Sequence, residues 1–310
     1  MACAALLAAV ASVAVASPLA WVSNEGSGTV SIIDVASDKV VAEIAAAGKP
    51  RGMAISPDGR TAYVSDQAGD RLLVLDAATK RATGSVALRR SPEGVGMSAD
   101  GRWLAIAIEE ANEVAFVDAR AATLAFSVRV TGRNPEHAVF APDGRRVFVS
   151  AEEGGSVDVI DLAARRVVAE IAVGMRPRGI GFSPDGKLAW VAAELANEVH
   201  VIDAVLLKVI KVIPVGLRSN GIAVHPDATR VYVSNGGDHT VSVIDTATLT
   251  VVATIPVGQR PWNMALTPDG KKLYVANGRS NSVSVIDTGT LKVAKDIPVG
   301  ELPWGVVIPQ

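Results

Sequence analysis

The 310-residue sequence predicts an all-β fold in which seven small sheets surround a central axis. Three observations predict it: an aspartate recurs at a nearly constant spacing, short strand-like runs alternate with turn residues, and the runs are apolar on both alternations. A repeat of this length cannot bury its apolar faces alone and needs neighbouring copies. Four-stranded sheets packed face to face around an axis form a β-propeller, which leaves only short sheet edges exposed.

The repeat is marked by an aspartate that follows an apolar strand in each copy. The seven are Asp34, Asp76, Asp118, Asp161, Asp203, Asp245 and Asp287, at five intervals of 42 residues and one of 43. Removing sixteen N-terminal residues leaves 294, which is seven times 42. We expect the extra residue in the turn after Asp118, where it leaves the strand register intact. The count predicts seven blades over residues 17–310.

The order of elements within a unit is clearest in the sixth copy. Its runs predicted as strands are 220–224, 230–234, 240–244 and 251–255. The turn after the first strand is Ser-Pro-Asp-Gly in two other copies, at 56–59 and 183–186. Proline fixes φ there, aspartate bonds back to the backbone and glycine accepts a positive φ. Each unit is therefore predicted to be a four-stranded antiparallel blade.

The two chain ends predict how the ring closes. The first strand-like run after the N-terminus starts near Trp21 and matches the second strand of a unit. The last run, from Trp304 to Ile308, matches a first strand. One blade should therefore pair the C-terminal strand with three N-terminal strands.

The N-terminus resembles an export signal. Residues 4–16 are uncharged and apolar, and Ala14-Val15-Ala16 has the small-x-small pattern that signal peptidase accepts. The run is shorter than the roughly 20 residues of a membrane span, although no Lys or Arg precedes it, which would fit a start upstream of Met1. We predict a signal peptide over 1–16, a mature chain without a membrane span, and a periplasmic or secreted location.

The composition excludes several classes of function. A net charge of −2 and 49% hydrophobic residues indicate a folded protein without a nucleic-acid-binding tail. We expect it to be a monomer. Cys3 is the single cysteine, which excludes a disulfide framework and cysteine-based zinc sites. The four histidines, at 137, 200, 225 and 239, do not pair at metal-ligand spacing. We predict no metal, no cofactor and no catalytic residues.

The repeat resembles the YVTN-repeat family of seven-bladed propellers, through Tyr-Val-Ser-Asn at 232–235 and Tyr-Val-Ala-Asn at 274–277. Within it, residues 21–25, 260–270 and 303–307 are similar to those of exported propellers associated with PQQ-dependent alcohol catabolism. This resemblance implies periplasmic residence and an accessory binding role. The chain departs from the family pattern at 105–108, at Ala228 where Gly is usual, and at Ser219 where Pro is usual.

The copies differ from one another chiefly on one face of the predicted ring. The residue that opens each inner strand is expected to line the channel mouth; these residues are Arg51, Glu93, Glu136, Arg178, Asn220, Trp262 and Trp304. One position further, His137 and Asn263 replace glycine, and Arg260 belongs to a cationic collar with Lys49, Arg176 and Arg218. Paired charges facing indole walls favour a small anionic or ring-containing ligand, or a loop of a periplasmic partner. The plain alternative is that the charges neutralise one another while the two tryptophans plug the channel.

Other functions remain open at this stage. A lactonase-type hydrolase would need a glutamate and asparagines at the mouth, which Glu93, Glu136, Asn220 and Asn263 could supply. Single-stranded DNA binding would use the tryptophans and the collar, but the near-zero net charge argues against it. Haem d1 handling, known from related denitrification propellers, is a further alternative. The favoured hypothesis is a non-catalytic binding protein.

Overall fold

A computed structural model describes residues 18–46 and 48–309. The predicted signal peptide, residues 1–16, lies outside this range. The described residues form 28 β-strands and no helix. They therefore contain no helix that could span a membrane. The all-β prediction is confirmed.

The strands are six or seven residues long, except for the last, which has five. In chain order the first fourteen are β1 Leu19–Asn24, β2 Thr29–Asp34, β3 Lys39–Ala45, β4 Pro50–Ile55, β5 Thr61–Asp66, β6 Arg71–Asp76, β7 Arg81–Ala87, β8 Pro92–Met97, β9 Trp103–Ile108, β10 Glu113–Asp118, β11 Thr123–Arg129, β12 Pro135–Phe140, β13 Arg146–Ala151 and β14 Ser156–Asp161. The other fourteen are β15 Arg166–Ala172, β16 Pro177–Phe182, β17 Leu188–Ala193, β18 Glu198–Asp203, β19 Lys208–Pro214, β20 Ser219–Val224, β21 Arg230–Asn235, β22 Thr240–Asp245, β23 Thr250–Pro256, β24 Pro261–Leu266, β25 Lys272–Asn277, β26 Ser282–Asp287, β27 Lys292–Pro298 and β28 Pro303–Val307.

Seven antiparallel sheets of four strands form the seven blades. Blade 1 has the order β28-β1-β2-β3, and blades 2 to 7 follow as β4–β7, β8–β11, β12–β15, β16–β19, β20–β23 and β24–β27. The first strands of neighbouring blades contact one another around the axis. Most residues of the outer strands are exposed, as in the pattern of β3. The seven-bladed propeller is confirmed.

The ring closes by pairing the two ends of the chain, as predicted. Trp21 lies opposite Val307, Val22 opposite Val306 and Ser23 opposite Gly305 in an antiparallel register. Lys272 of blade 7 strengthens this junction, because its Nζ donates to the Val35 carbonyl at 2.9 Å and to Asp38 Oδ2 at 2.7 Å. Blade 1 thus holds both termini of the propeller.

The hydrophobic core is divided among the seven interfaces between blades. Each interface has one cluster of buried apolar residues drawn from two adjacent blades. The cluster between blades 7 and 1, for example, packs Tyr274 and Val283 against Val22 and Ile33. Burial on both faces explains why the strands read as continuous apolar runs.

The repeat motif also joins adjacent blades by hydrogen bonds. Tyr63 Oη donates to the Ala119 carbonyl of the next blade at 3.0 Å. The serine two positions later, Ser65, donates to the Glu93 carbonyl at 2.6 Å. Ser23 and Ser234 do the same to the carbonyls of Arg51 and Trp262. The motif therefore holds the backbone of the mouth residues in place.

The extra residue of the 43-residue interval is not where the sequence predicts it. The connection after Asp118 spans 119–122, the same four residues as in the other copies, for example 77–80. The connection from β11 to β12 spans 130–134, one residue more than 88–91 between β7 and β8. The predicted position was wrong because either connection absorbs a residue without changing strand register. The insertion lies on the channel-mouth face.

The turns after the inner strands have the predicted geometry. Gly59 and Gly186 have φ of +69° and +70°, and Asp58 Oδ1 accepts from the Arg60 backbone N–H at 3.0 Å. Ala228 takes the glycine position in blade 6 with φ of +62°. Here the backbone keeps the turn despite the departure from the pattern, at the cost of a left-handed alanine.

Candidate functional site

The mouth of the central channel is built from three residues of every blade. The first opens the inner strand, the second precedes that strand in the collar, and the third follows the second strand. In blade 5 these are Arg178, Arg176 and Glu194, which contact one another: Arg178 Nε lies 2.9 Å and Arg176 Nε 3.4 Å from Glu194 Oε2. The sequence therefore predicted correctly that these residues share one face of the propeller.

Glycines bring the inner strands close enough to converge on the axis. A Cβ added at Gly52 would lie 2.4 Å from the Glu93 carbonyl oxygen, and one at Gly179 would lie 2.6 Å from the Asn220 carbonyl oxygen. Such distances leave no room for a side chain. Where a glycine follows the mouth residue, as in five of the seven copies, it is therefore a packing requirement between neighbouring blades.

Arg178 is the centre of a buried ion-pair network. Its Nη1 lies 2.6 Å from Glu136 Oε1 and also contacts Glu152, while its Nε contacts Glu194. Only 12% of the Arg178 side chain is exposed. Burial alone would lower the pKa of Arg178, but the three carboxylates outweigh it and raise that pKa. Buried charges need such partners, because an isolated one would be strongly destabilising.

A second network surrounds Glu93, which is completely buried. Its Oε1 accepts from Arg51 Nη1 at 2.5 Å and from Gln67 Nε2 at 2.6 Å, and Arg51 also reaches Glu25 at 3.2 Å. Burial, followed by repulsion from Glu136, raises the pKa of Glu93 to about 9. Burial thus outweighs the opposing effect of Arg51, which lies against Glu93 and also contacts Glu25.

Glu136 and Glu152 share Arg178 but differ in charge state. Burial raises the pKa of Glu152 to about 7, and the nearby Glu136 adds to this effect. Burial alone would also raise the pKa of Glu136, but the positive charges of Arg178 and Arg51 outweigh it and lower that pKa. The charge of Glu152 thus changes near neutral pH while Glu136 stays ionised.

Trp304 lines the mouth and contacts a residue of a distant blade. Its ring stacks on that of His137, with centroids 5.5 Å apart and planes 17° from parallel. Trp304 belongs to blade 1 and His137 to blade 4, so the contact crosses the channel. Burial lowers the pKa of His137, which favours the neutral imidazole. The plain alternative places both tryptophans in the channel. Trp304 makes the contact with His137, whereas Trp262 lies beside Arg260.

A cavity of about 230 Å³ lies at the mouth of the channel. It is lined by Arg51, Gln67, Glu109, Glu136, Glu152, Arg176, Arg178, Asn220, Trp262 and Trp304. The structure therefore brings together six of the ten predicted site residues: Arg51, Glu136, Arg178, Asn220, Trp262 and Trp304. Glu93 lies behind Arg51 and Gln67, and Asn263 fits between Gly221 and Gly305 of adjacent inner strands.

Arg260 lies at the rim on the side of the tryptophans. Its guanidinium carbon is 5.6 Å from the centroid of the Trp262 ring, and its Nη2 is 3.5 Å from Glu194 Oε1. Burial lowers the pKa of Arg260; the neighbouring Arg218 and Arg279 lower it further, and Glu194 opposes them. Arg260 therefore has more arginines than carboxylates around it.

The loop residue after the second strand was not recognised as part of the site from the sequence. This position holds Glu25, Gln67, Glu109, Glu152, Glu194, Gly236 and Gly278 in the seven copies. Taken one copy at a time, Gln67, Glu152 and Glu194 have the sequence context of ordinary polar loop residues. Each of these positions directly follows the motif, so a comparison of the copies at that column would have found them.

The described part of the chain contains no group of three or more His, Cys, Asp or Glu residues that could hold a metal ion. The cavity instead offers guanidinium donors, carboxylates of two charge states, an amide at Asn220 and two indoles. Such a set can bind a small ligand by hydrogen bonds and stacking.

Two family models match different halves of the chain. One, described as "Lactonase, 7-bladed beta-propeller", matches residues 162–304, and one described as "YNCE-like beta-propeller" matches residues 1–142. No match was found among curated proteins. Both descriptions agree with the propeller seen here.

Several solved structures are similar over most of the chain. A structure titled Kuenenia stuttgartiensis hydrazine synthase has 26% identity and a TM-score of 0.80, covering 86% of this chain and 92% of that one. A protein of unknown function from Desulfotomaculum acetoxidans has 17% identity and a TM-score of 0.84, covering 94% and 99%. Dihydro-heme d1 dehydrogenase NirN, in complex with DHE, has 18% identity and a TM-score of 0.71, covering 93% and 74%.

Proposed function

We propose that the protein is an exported, non-catalytic binding propeller that holds a small ligand in the channel-mouth cavity. One observation carries this proposal: the residues that differ between copies converge on one cavity, which is lined in part by Trp304, the residue that stacks on His137. The rest of each blade repeats the same scaffold contacts. A volume of about 230 Å³ lies below the roughly 300–1,000 Å³ of drug-sized pockets and suits a smaller molecule.

Export and an accessory role in PQQ-dependent catabolism belong to the same proposal. They are supported by the apolar N-terminal run and by the resemblance at residues 21–25, 260–270 and 303–307. The neutral overall charge fits a partner that is not a polyanion.

Native mass spectrometry of the protein purified from its natural cells tests ligand binding. We expect a mass excess that disappears on denaturation and is lost in Trp262→Leu, which removes one wall of the cavity. Trp103→Leu, on the opposite face of the propeller, is the matched control and should keep the excess. Native protein with only the mass of the polypeptide would contradict the proposal.

A lactonase-type hydrolase is the second candidate, favoured by the match over residues 162–304. Glu152, which changes charge near pH 7, lines the cavity and could serve as a general base there. Lactone turnover by the wild type that is lost in Glu136→Ala and Glu152→Ala would support this reaction. Absence of turnover over a panel of γ- and δ-lactones would remove it.

Haem d1 handling is less well supported. The likeness to NirN, at 18% identity, is one of fold. The cavity is smaller than the pockets that enclose drug-sized molecules, whereas a tetrapyrrole is larger than most of these. An absorbance scan of the protein from its natural cells is the test, and a Soret-type band would favour this alternative.

A further inference from the structure

The charges at the mouth are unevenly distributed between its two sides. On blades 5 to 7, four arginines lie within 3.5 Å of the single buried carboxylate of Glu194: Arg176, Arg178, Arg218 and Arg260. Glu136 and Glu152 add two more carboxylates, both already in contact with Arg178. Four guanidiniums thus face three acids, and the surplus grows when Glu152 is protonated.

The surplus positive charge lies on Arg218 and Arg260. Among the described residues, Glu194 is the only carboxylate within 4 Å of either side chain, at 3.4 and 3.5 Å. Charge-assisted hydrogen bonds are shorter, about 2.7–2.9 Å. A guanidinium has five N–H donors, so both arginines keep donors for another anion.

The first loop position after the second strand carries no acid in blades 6 and 7, and the one acid of the blade 6 loop, Asp238, accepts from the Leu217 backbone N–H at 2.7 Å. Gly236 and Gly278 stand where blades 4 and 5 have Glu152 and Glu194. A Cβ at Gly278 would lie 3.3 Å from Trp262 Cε3, and one at Gly236 would lie 3.6 Å from Arg260 Cδ. The two glycines therefore remove negative charge beside the guanidinium and the indole, and Gly278 also leaves room for the indole.

An aromatic surface lies directly beside these cations. Trp262 lines the cavity together with Asn220, and the Arg260 guanidinium carbon lies 5.6 Å from its ring centroid. A planar ring can stack on an indole while a carboxylate attached to it accepts from guanidinium N–H groups. At about 230 Å³, the cavity has room for one ring rather than a fused system of several.

Building on the proposed function, we infer that the ligand is a small aromatic carboxylate. Its carboxylate binds Arg218 and Arg260, and its ring lies against Trp262. Asn220 is positioned to select a polar substituent on the ring. On the opposite side of the mouth, Arg51 already contacts both Glu93, at 2.5 Å, and Glu25, at 3.2 Å, so it is less available to the anion.

Isothermal titration calorimetry with three single-ring probes tests the ligand class. Benzoate has the ring and the charge, cyclohexanecarboxylate keeps the charge without a planar ring, and benzamide keeps the ring without the charge. We expect benzoate to bind at least about tenfold more tightly than benzamide, because a charged hydrogen bond is lost. Cyclohexanecarboxylate should fall between them. Equal affinity for benzoate and benzamide would overturn the inference.

Variants assign the two parts of the site. Arg260→Gln should weaken benzoate binding at least about tenfold, while Arg90→Gln, a matched rim arginine paired with Glu110, should leave it unchanged. Trp262→Leu should abolish the preference for benzoate over cyclohexanecarboxylate while keeping the preference for charge. Unchanged benzoate affinity in a folded Arg260→Gln variant would contradict the assignment.

The outcome separates this inference from the proposed function. A neutral or non-aromatic molecule retained in native mass spectrometry, with no benzoate binding, would refute the aromatic carboxylate and leave the binding function standing. Neither a retained molecule nor probe binding would refute both.

Discussion

The Trp304 indole and the His137 imidazole, 167 residues apart in the chain by the difference of their numbers, stack face to face across the propeller channel. Trp304 comes from the last strand of the chain and His137 from the blade opposite. Trp304 therefore belongs both to the strand that closes the ring and to the lining of the candidate site. Both stability and ligand binding should depend on β28.

Deletion of residues 303–310 should open the ring. It removes the pairing partner of β1 together with the buried side chains of Trp304, Val306 and Ile308. Loss of a large buried side chain costs about 2–5 kcal/mol, so we expect the melting temperature to fall by at least about 10 °C. Deletion of residues 309–310 alone is the control. An unchanged melting temperature in the longer deletion would refute closure by β28.

Arg178→Gln should be more destabilising than the loss of any rim arginine. It leaves three buried carboxylates, Glu136, Glu152 and Glu194, without their shared partner. Removing one member of a buried ion pair costs about 3–5 kcal/mol. Arg90→Gln, at a side chain that is 76% exposed, should cost under about 0.5 kcal/mol. Urea denaturation of both variants measures the difference, and equal stabilities would contradict a structural role for the network.

The buried acid Glu93 should make the protein less stable as pH rises. Its pKa is raised to about 9 in the folded state, above the ordinary value of 4.5, so the folded protein binds a proton that the unfolded chain releases. Its contribution is favourable below about pH 4.5 and is lost progressively between there and about pH 9. Glu93→Gln is neutral at all pH values and should flatten this part of the profile.

The measurement is the free energy of unfolding of the wild type and of Glu93→Gln from pH 5 to 9. We expect the variant to gain stability relative to the wild type as pH increases. Glu153→Gln, at an exposed rim acid, is the matched control. Parallel profiles for the wild type and Glu93→Gln would show that Glu93 is ionised in the folded protein.

Ala228→Gly should stabilise the protein. Ala228 has φ of +62°, and a left-handed residue other than glycine costs about 1–2 kcal/mol, of which the flexibility of glycine in the unfolded chain takes back about 0.4–1 kcal/mol. We expect a net gain of about 0.5–1 kcal/mol by urea denaturation. Gly144→Ala, with φ of +67° and open space around the added methyl, should lose a similar amount. A stabilising Gly144→Ala would contradict the argument.

The strands could be predicted because their cause is local. Each aspartate follows a run whose apolar side chains point to both faces, and the Ser-Pro-Asp-Gly turns specify their own backbone angles, as Gly59 and Gly186 confirm. The inserted residue was misplaced for the opposite reason. A loop tolerates an added residue almost as well at one end of a strand as at the other, so the pattern around Asp118 could not locate it.

The candidate site could be predicted in part of its membership but not in its pairings. The column of residues from Arg51 to Trp304 follows from the repeat, and six of the ten predicted residues do line the cavity. That Glu93 lies behind Arg51, or that Glu194 gathers four arginines from three blades, follows from no spacing.

The sequence alone determined the number of blades, the four strands in each, the closure of the ring and the face on which the copies differ. These follow from periodicity and turn chemistry, which act between residues close together in the chain. Only the tertiary structure decided which charges meet, which acids are buried with raised pKa values and that Trp304 stacks on His137. Those properties depend on burial and on distances between side chains of different blades, which arise when the ring closes.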